Sequence, residues 1–158
     1  MSHTYTLNLL HVVFSTKNRA PLIRNLAGLI KNLRGIARNK NMDVLAAGGT
    51  ANHVHLLLRM PPVRPVSESM RDLKANSSRY MNEVAGGGFA WQEGYAAISV
   101  SPSQVAAVRT YIENQERHHA RRTYEQEFTA WLDKSGVAHE NPAAADAAPA
   151  EIGTSTRR

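Results

Sequence analysis

The chain has 158 residues, 42% of them hydrophobic, enough for one domain with its own core. It contains no cysteine, which excludes disulfides, Cys-ligated zinc and thiol catalysis. Nineteen Lys and Arg against 13 Asp and Glu give +6, and without the stretch from Ala138 onward the body stands at +7, a balance that suits polyanions or simply a solvated basic surface.

In chain order, residues 4–15 read as a strand in which Leu10, Val12 and Phe14 make an apolar face against a mixed one of Leu9, His11 and Val13. Lys17-Asn-Arg-Ala-Pro21 is a basic turn. Leu22, Leu26, Leu29, Ile30, Leu33 and Ile36 then recur at helical spacing and predict a helix over 22–38. A short strand over 43–47, a turn over 48–52 and a strand over 53–60 follow as a hairpin. Beyond Pro61, Pro62 and Pro65 a second helix is expected, with Ser67 or Ser69 as its cap and Asp72 completing a capping box. Its predicted buried stripe is Val66, Met70, Leu73, Ser77, Tyr80 and Val84, and Gly86-Gly-Gly88 ends it. A loop with Trp91-Gln-Glu-Gly-Tyr95, a strand over 97–100, a helix over 102–118 and a last helix over 124–134 complete the order.

That order predicts an α+β fold, a ferredoxin/RRM-like βαββαβ sandwich with one antiparallel sheet, helices on one face and an extra C-terminal helix. Residues 1–136 are read as one domain and the Ala/Pro-rich 137–158 as a disordered tail. No stretch approaches the roughly 18 apolar residues of a membrane span, and a charged leader is lacking, so a soluble cytoplasmic protein with no membrane partner is expected.

His53-Val54-His55 is the most informative segment. On a strand, residues i and i+2 share a face, so two imidazoles stand side by side while Val54, Leu56 and Leu58 enter a core. His11 can share the histidine side. Two histidines rarely hold a metal alone, and Gln115 is the candidate third ligand, with Glu116, His118 and His119 as local competitors. Tyr111 lies four residues before Gln115, on the same helix face. Two nitrogens and an amide oxygen suit Mg²⁺ or Mn²⁺ with open positions better than a closed zinc site. A tyrosine phenol is a poor nucleophile at neutral pH unless a metal or base draws off its proton, and a phosphodiester is the target it then suits. Such chemistry needs no nucleotide cofactor, and Gly86-Gly-Gly88 lacks the Lys-Ser/Thr that would follow in a phosphate-binding loop. The competing reading makes the histidines ordinary sheet residues and Tyr111 a half-buried helix aromatic. Lys17, Arg19, Lys74 and Arg79 are candidate phosphate contacts, and Trp91 and Tyr95 candidate stacking platforms for unpaired bases, unless the aromatics simply close the core.

Six segments, in order, carry a resemblance: His11-Val-Val-Phe-Ser-Thr-Lys-Asn-Arg-Ala-Pro-Leu-Ile23, His53-Val-His-Leu-Leu-Leu58, Leu73-Lys-Ala-Asn-Ser-Ser-Arg79, Trp91-Gln-Glu-Gly-Tyr95, Ser99-Val-Ser-Pro-Ser103 and Tyr111-Ile-Glu-Asn-Gln-Glu-Arg-His-His119. Over residues 11–132 the chain resembles the HUH-type single-tyrosine transposases of small bacterial insertion sequences, the IS200-like family with its REP-associated, domesticated relatives. The resemblance implies a metal-dependent enzyme that cuts and rejoins single-stranded DNA near a hairpin. It implies His53, His55 and Gln115 as metal ligands and Tyr111 as the nucleophile that forms a 5′-phosphotyrosine. It also implies a homodimer, often with the tyrosine helix completing the partner's site. Asn52 stands where an acidic residue is expected before the first histidine, which bears on metal tuning, and Ala97-Ile98 replaces a small residue plus Phe. Two other readings compete: a domesticated, non-mobile binder of hairpin DNA, and a metal-dependent phosphodiesterase that uses activated water.

Overall fold

The computed structural model describes residues 2–140. The chain divides into two compact units, Met1–Arg121 and Arg122–Arg158. In the first, the elements run β1 (Asn8–Ser15), α1 (Leu26–Asn39), β2 (Asp43–Gly49), β3 (His53–Met60), α2 (Val66–Ala85), β4 (Ala96–Ser99), α3 (Val105–Glu113) and α4 (Gln115–His119), with single 3-10 turns at Lys17–Arg19 and Pro102–Gln104. The four strands form one sheet in the order β2-β3-β1-β4, and each neighbouring pair is antiparallel. This is the expected α+β arrangement.

The sheet's two faces differ in kind. Val12 and Phe14 of β1 and Val54, Leu56, Leu58 and Met60 of β3 point to one face. There they pack against Leu29, Leu33 and Ala37 of α1 and Met70, Leu73 and Met81 of α2. Leu29, Leu33, Leu56, Leu58 and Leu73 are wholly buried, so each contributes roughly 1.5–3 kcal/mol through loss of apolar surface from water. On the other face a smaller cluster of Ala46, Leu57 and Ile112, flanked by Leu45, Val105 and Val108, seats α3.

A bulge in β2 serves both clusters. Val44 pairs with Leu58 and Ala46 with Leu57, so Leu45 is an extra residue opposite a single step of β3. Val44 and Ala47 therefore pack on the α1–α2 side, while Leu45 and Ala46 pack under α3.

Several boundaries differ from the sequence reading. The first helix starts at Leu26, not at residue 22, because the Asn25 side chain caps it by accepting from Gly28 N–H at 2.9 Å. Leu22 and Ile23 precede it outside the helix, with Ile23 N–H donating to Ala51 C=O at 2.9 Å. The second helix begins directly after Pro65, with no side-chain cap. Ser69 lies one turn inside it and donates its hydroxyl to Pro65 C=O at 3.1 Å, and Asp72 turns to Arg64 at 2.7 Å, so the expected capping box is absent there. Met81 is buried in place of Val84, which is 61% exposed. Gly86, Gly87 and Gly88 do end the helix, at φ of 77°, 106° and 84°, a region closed to most side chains. The helix expected over 102–118 is broken at Asn114 into α3 and α4.

In the second unit, α5 (Tyr124–Ser135) opens on a capping box between Thr123 and Gln126 and closes on left-handed Gly136. Tyr124 stacks on Phe128, with ring centroids 5.4 Å apart. Of the tail read from the sequence, residues 137–140 form no regular element and 141–158 lie outside the described residues.

Candidate metal and nucleophile site

β3 enters the sheet from the turn over residues 50–52, shorter than the expected 48–52 because Gly48 and Gly49 pair within β2, and the polar residues of that turn fix its first histidine. Thr50 N–H donates to His53 C=O at 3.0 Å and closes the turn. Asn52 Oδ1 lies 2.7 Å from His53 Nδ1 and also accepts the Thr50 hydroxyl at 3.0 Å. An amide oxygen only accepts, so His53 carries a proton on Nδ1, and the neutral form of the ring then has its lone pair on Nε2. That Nε2 faces Gln115 Oε1 at 3.2 Å. Two acceptors facing at that distance repel unless a cation, a proton or a metal ion, lies between them.

Gln115 is 1% exposed, at the start of α4. Its amide nitrogen donates to Tyr111 C=O at 3.4 Å, and its oxygen also lies 3.2 Å from His119 Nε2. The His53 and His119 nitrogens come within 4.8 Å of each other. His53 and His55, both buried, have ring centroids 5.2 Å apart. Imidazole nitrogens and an amide oxygen thus converge from β3 and α4, a donor set that fits a divalent cation. His55 Nδ1 lies 2.8 Å from Nε2 of buried His11 on β1.

Tyr111 is half-buried among imidazoles, its ring centroid 5.7 Å from His55, 6.0 Å from His11 and 4.9 Å from His118. Its helix reaches this position because Gly48 of β2 puts no side chain beneath Ile112. A Cβ on Gly48 would fall 2.0 Å from Ile112 C=O, so only glycine lets α3 lie this close to the strand. Tyr111 and Gln115 consequently meet the histidines of their own chain.

The candidate DNA contacts separate into two groups. Lys17 and Arg19 occupy the 3-10 turn after β1, which is stapled to the His53 turn: Thr16 N–H donates to Asn52 C=O at 2.8 Å, and Asn52 Nδ2 donates to Arg19 C=O at 3.4 Å. The 91–95 loop lies beside it, with Gln92 N–H on Ser15 C=O at 2.8 Å and Gln92 Oε1 accepting from Asn18 N–H at 2.9 Å. Lys74 donates to the carbonyls of Gln92 and Gly94, and its burial holds the ammonium below the ordinary lysine pKa. Trp91 packs edge-on against Phe14 and Phe89 at 4.6 and 4.8 Å and donates Nε1–H to Ser77 Oγ at 3.0 Å. Tyr95 is 41% exposed. Lys17, Arg19, Lys74, Trp91 and Tyr95 are thus gathered around the sheet end that carries His53. Arg79 is not; it bonds Asn76 and lines a groove between α1 and α2 with Lys40 and Glu83.

Sequence reasoning assigned no partner to His11. The signal was its period-2 placement on β1: with Val13 opposite His55, His11 is a diagonal neighbour of His55 on the same face.

Residues 4–115 match the family model described as "Transposase IS200 like". The chain is 31% identical over 81 residues to the ISDra2 transposase TnpA of Deinococcus radiodurans, an alignment covering 47% of this chain and 58% of that relative. It therefore spans less than two thirds of that relative's length. A crystal structure of a candidate transposase from Deinococcus radiodurans superposes with a TM-score of 0.59 at 28% identity, over 73% of this chain and 96% of that one. A REP-associated tyrosine transposase bound to a REP hairpin shares the fold at a TM-score of 0.54 and 15% identity, over 71% of this chain and 68% of that one. No helix among the described residues is long and apolar enough to cross a membrane. With the family match running from before β1 to Gln115, the chain belongs to the IS200-like transposase family.

Proposed function

We propose that this chain cleaves and rejoins single-stranded DNA, with Tyr111 as the nucleophile and His53, His55 and Gln115 holding Mg²⁺ or Mn²⁺. One observation carries the reading: Gln115 reaches His53 at 3.2 Å while Tyr111, one turn earlier, lies over His55, in a chain of a transposase family. The ion, when bound, polarises the scissile phosphate and makes the phenol easier to ionise. Tyr111 Oη loses its proton to solvent and attacks the phosphorus, the bond to the 3′ oxygen breaks, and that oxygen takes up a proton from solvent to leave as a free 3′-hydroxyl. The 5′-phosphate stays on Tyr111, so the ester energy is kept for rejoining and no nucleotide cofactor is consumed.

Hairpin DNA is the proposed recognition element, by analogy with the REP-associated relative whose structure holds a REP hairpin. Lys17 and Arg19, on the turn stapled to Asn52, would meet the phosphates beside the site, and exposed Tyr95 a base. Residues 1–136 form the proposed working unit. Homodimerisation, implied by family resemblance, is a further element of the proposal; the tyrosine and histidines of one chain already meet without it.

The test is a covalent adduct. Protein, Mn²⁺ and labelled single-stranded DNA from the gene's own flanks are run on a denaturing gel beside Tyr111→Phe. A shifted band that needs both the metal and Tyr111 supports the reading. Tight binding of the same DNA without any adduct would replace it with a non-mobile hairpin binder, and metal-dependent cutting that survives in Tyr111→Phe would replace it with a water-using phosphodiesterase.

A further inference from the structure

Each paired histidine is hydrogen-bonded through Nδ1, but by partners of different kinds. For His53 the partner is an amide oxygen, Asn52 Oδ1, which fixes the tautomer outright. For His55 it is another imidazole, His11 Nε2 at 2.8 Å, between rings that are 3% and 2% exposed. One proton lies between these two nitrogens, and where it belongs decides what His55 can do.

His11 occupies the Nδ1 side of His55, so Nε2 is the nitrogen His55 has to offer the site. A metal ligand needs a lone pair there, which requires the His55 proton on Nδ1. His11 Nε2 must then accept, and the His11 proton must sit on its own Nδ1. We propose that His11 is a positioning residue: it accepts the Nδ1–H of His55 and so holds that ring in the tautomer and orientation that turn its Nε2 lone pair toward the site. β1 and β3 hold the two rings together because they pair in register, with His11 opposite Leu57 and Val13 opposite His55. His11 also lies edge-on to Tyr111 at 6.0 Å, so the same ring backs both the second histidine and the proposed nucleophile.

The role rests on the metal reading above, and its test separates the two. In ¹⁵N-labelled protein without metal, long-range proton–nitrogen correlation spectra should give His55 a protonated Nδ1 and a bare Nε2. A proton on His55 Nε2 would overturn the role. Calorimetric titration with Mn²⁺ alone should show affinity falling about 10- to 100-fold in His11→Leu, which has no acceptor. His11→Gln places an amide oxygen near the same point and should stay within a few-fold of the parent. Thermal unfolding of each variant reports whether the fold survives. If His11→Leu fails to fold, His11→Gln and the parent tautomer still decide. Parent and His11→Leu binding Mn²⁺ equally would sink the positioning role alone, whereas a parent that binds no Mn²⁺ would sink the metal reading and this role with it.

Discussion

One strand, β3, serves two regions of the molecule that obey different rules. Its even positions, Val54, Leu56 and Leu58, face α1 and α2 in an apolar layer where shape and volume matter. His53 and His55, on the opposite face, meet Gln115 and His11 through directed contacts of 2.8–3.2 Å. The first region stabilises; the second holds polar groups in place at some cost in stability, because every buried imidazole must find a partner. Adjacent residues such as His55 and Leu56 should therefore fail in different ways when changed.

The sharpest break would come from His53→Ala. Metal-dependent DNA cleavage should vanish while hairpin binding, measured by fluorescence anisotropy, stays within a few-fold; equal loss of both would mean that His53 serves folding or DNA contact. Leu56→Ala should do the reverse, lowering stability by about 2–5 kcal/mol in urea unfolding while the folded fraction keeps its cleavage rate. Gly48→Ala tests the boundary between the regions. Its methyl meets Ile112 C=O, so α3 must shift, and a loss of roughly 1–3 kcal/mol should accompany slower adduct formation. A variant with unchanged adduct kinetics would show that Tyr111 does not depend on that close approach.

The smallest effect belongs to the partly buried pair Arg64–Asp72 on the stabilising side. The hydrogen bond from Arg64 holds the Asp72 carboxyl below its usual pKa. A carboxylate depressed in the folded state adds stability above its unfolded pKa and loses it as pH falls through the folded value. Asp72→Asn should thus narrow the stability difference between neutral and acid pH by under about 1 kcal/mol. A parallel shift at all pH values would assign the effect to packing instead.

How much of this was legible in the sequence follows the same division. The order of the predicted elements carries the fold class and the alternation of β3 the histidine face, both from local periodicity. What the sequence could not carry depended on distant partners. Leu22 and Ile23 match the helical stripe, but Ile23 is bonded to Ala51 and the cap falls on Asn25. Trp91 and Lys74 are candidate DNA contacts in the sequence, with core closure the competing reading for the first and solvation for the second; the partners they have here, Phe14 and Phe89 for Trp91 and the carbonyls of Gln92 and Gly94 for Lys74, come from packing that no local pattern shows. Val84 keeps the stripe's period but lies near the helix end, beyond the cover of the core.

The bulge at Leu45 sets where this sheet can change length. Removing one residue within β1 or β3 would carry every later side chain of that strand to the opposite face, putting imidazoles into the apolar layer and leucines into the site. Removing Leu45 instead would leave Val44, Ala46 and Ala47 in plain alternation against Leu58, Leu57 and Leu56. A single-residue deletion at Leu45 would thus keep both faces of the sheet in register and cost only the packing of that side chain beside α3.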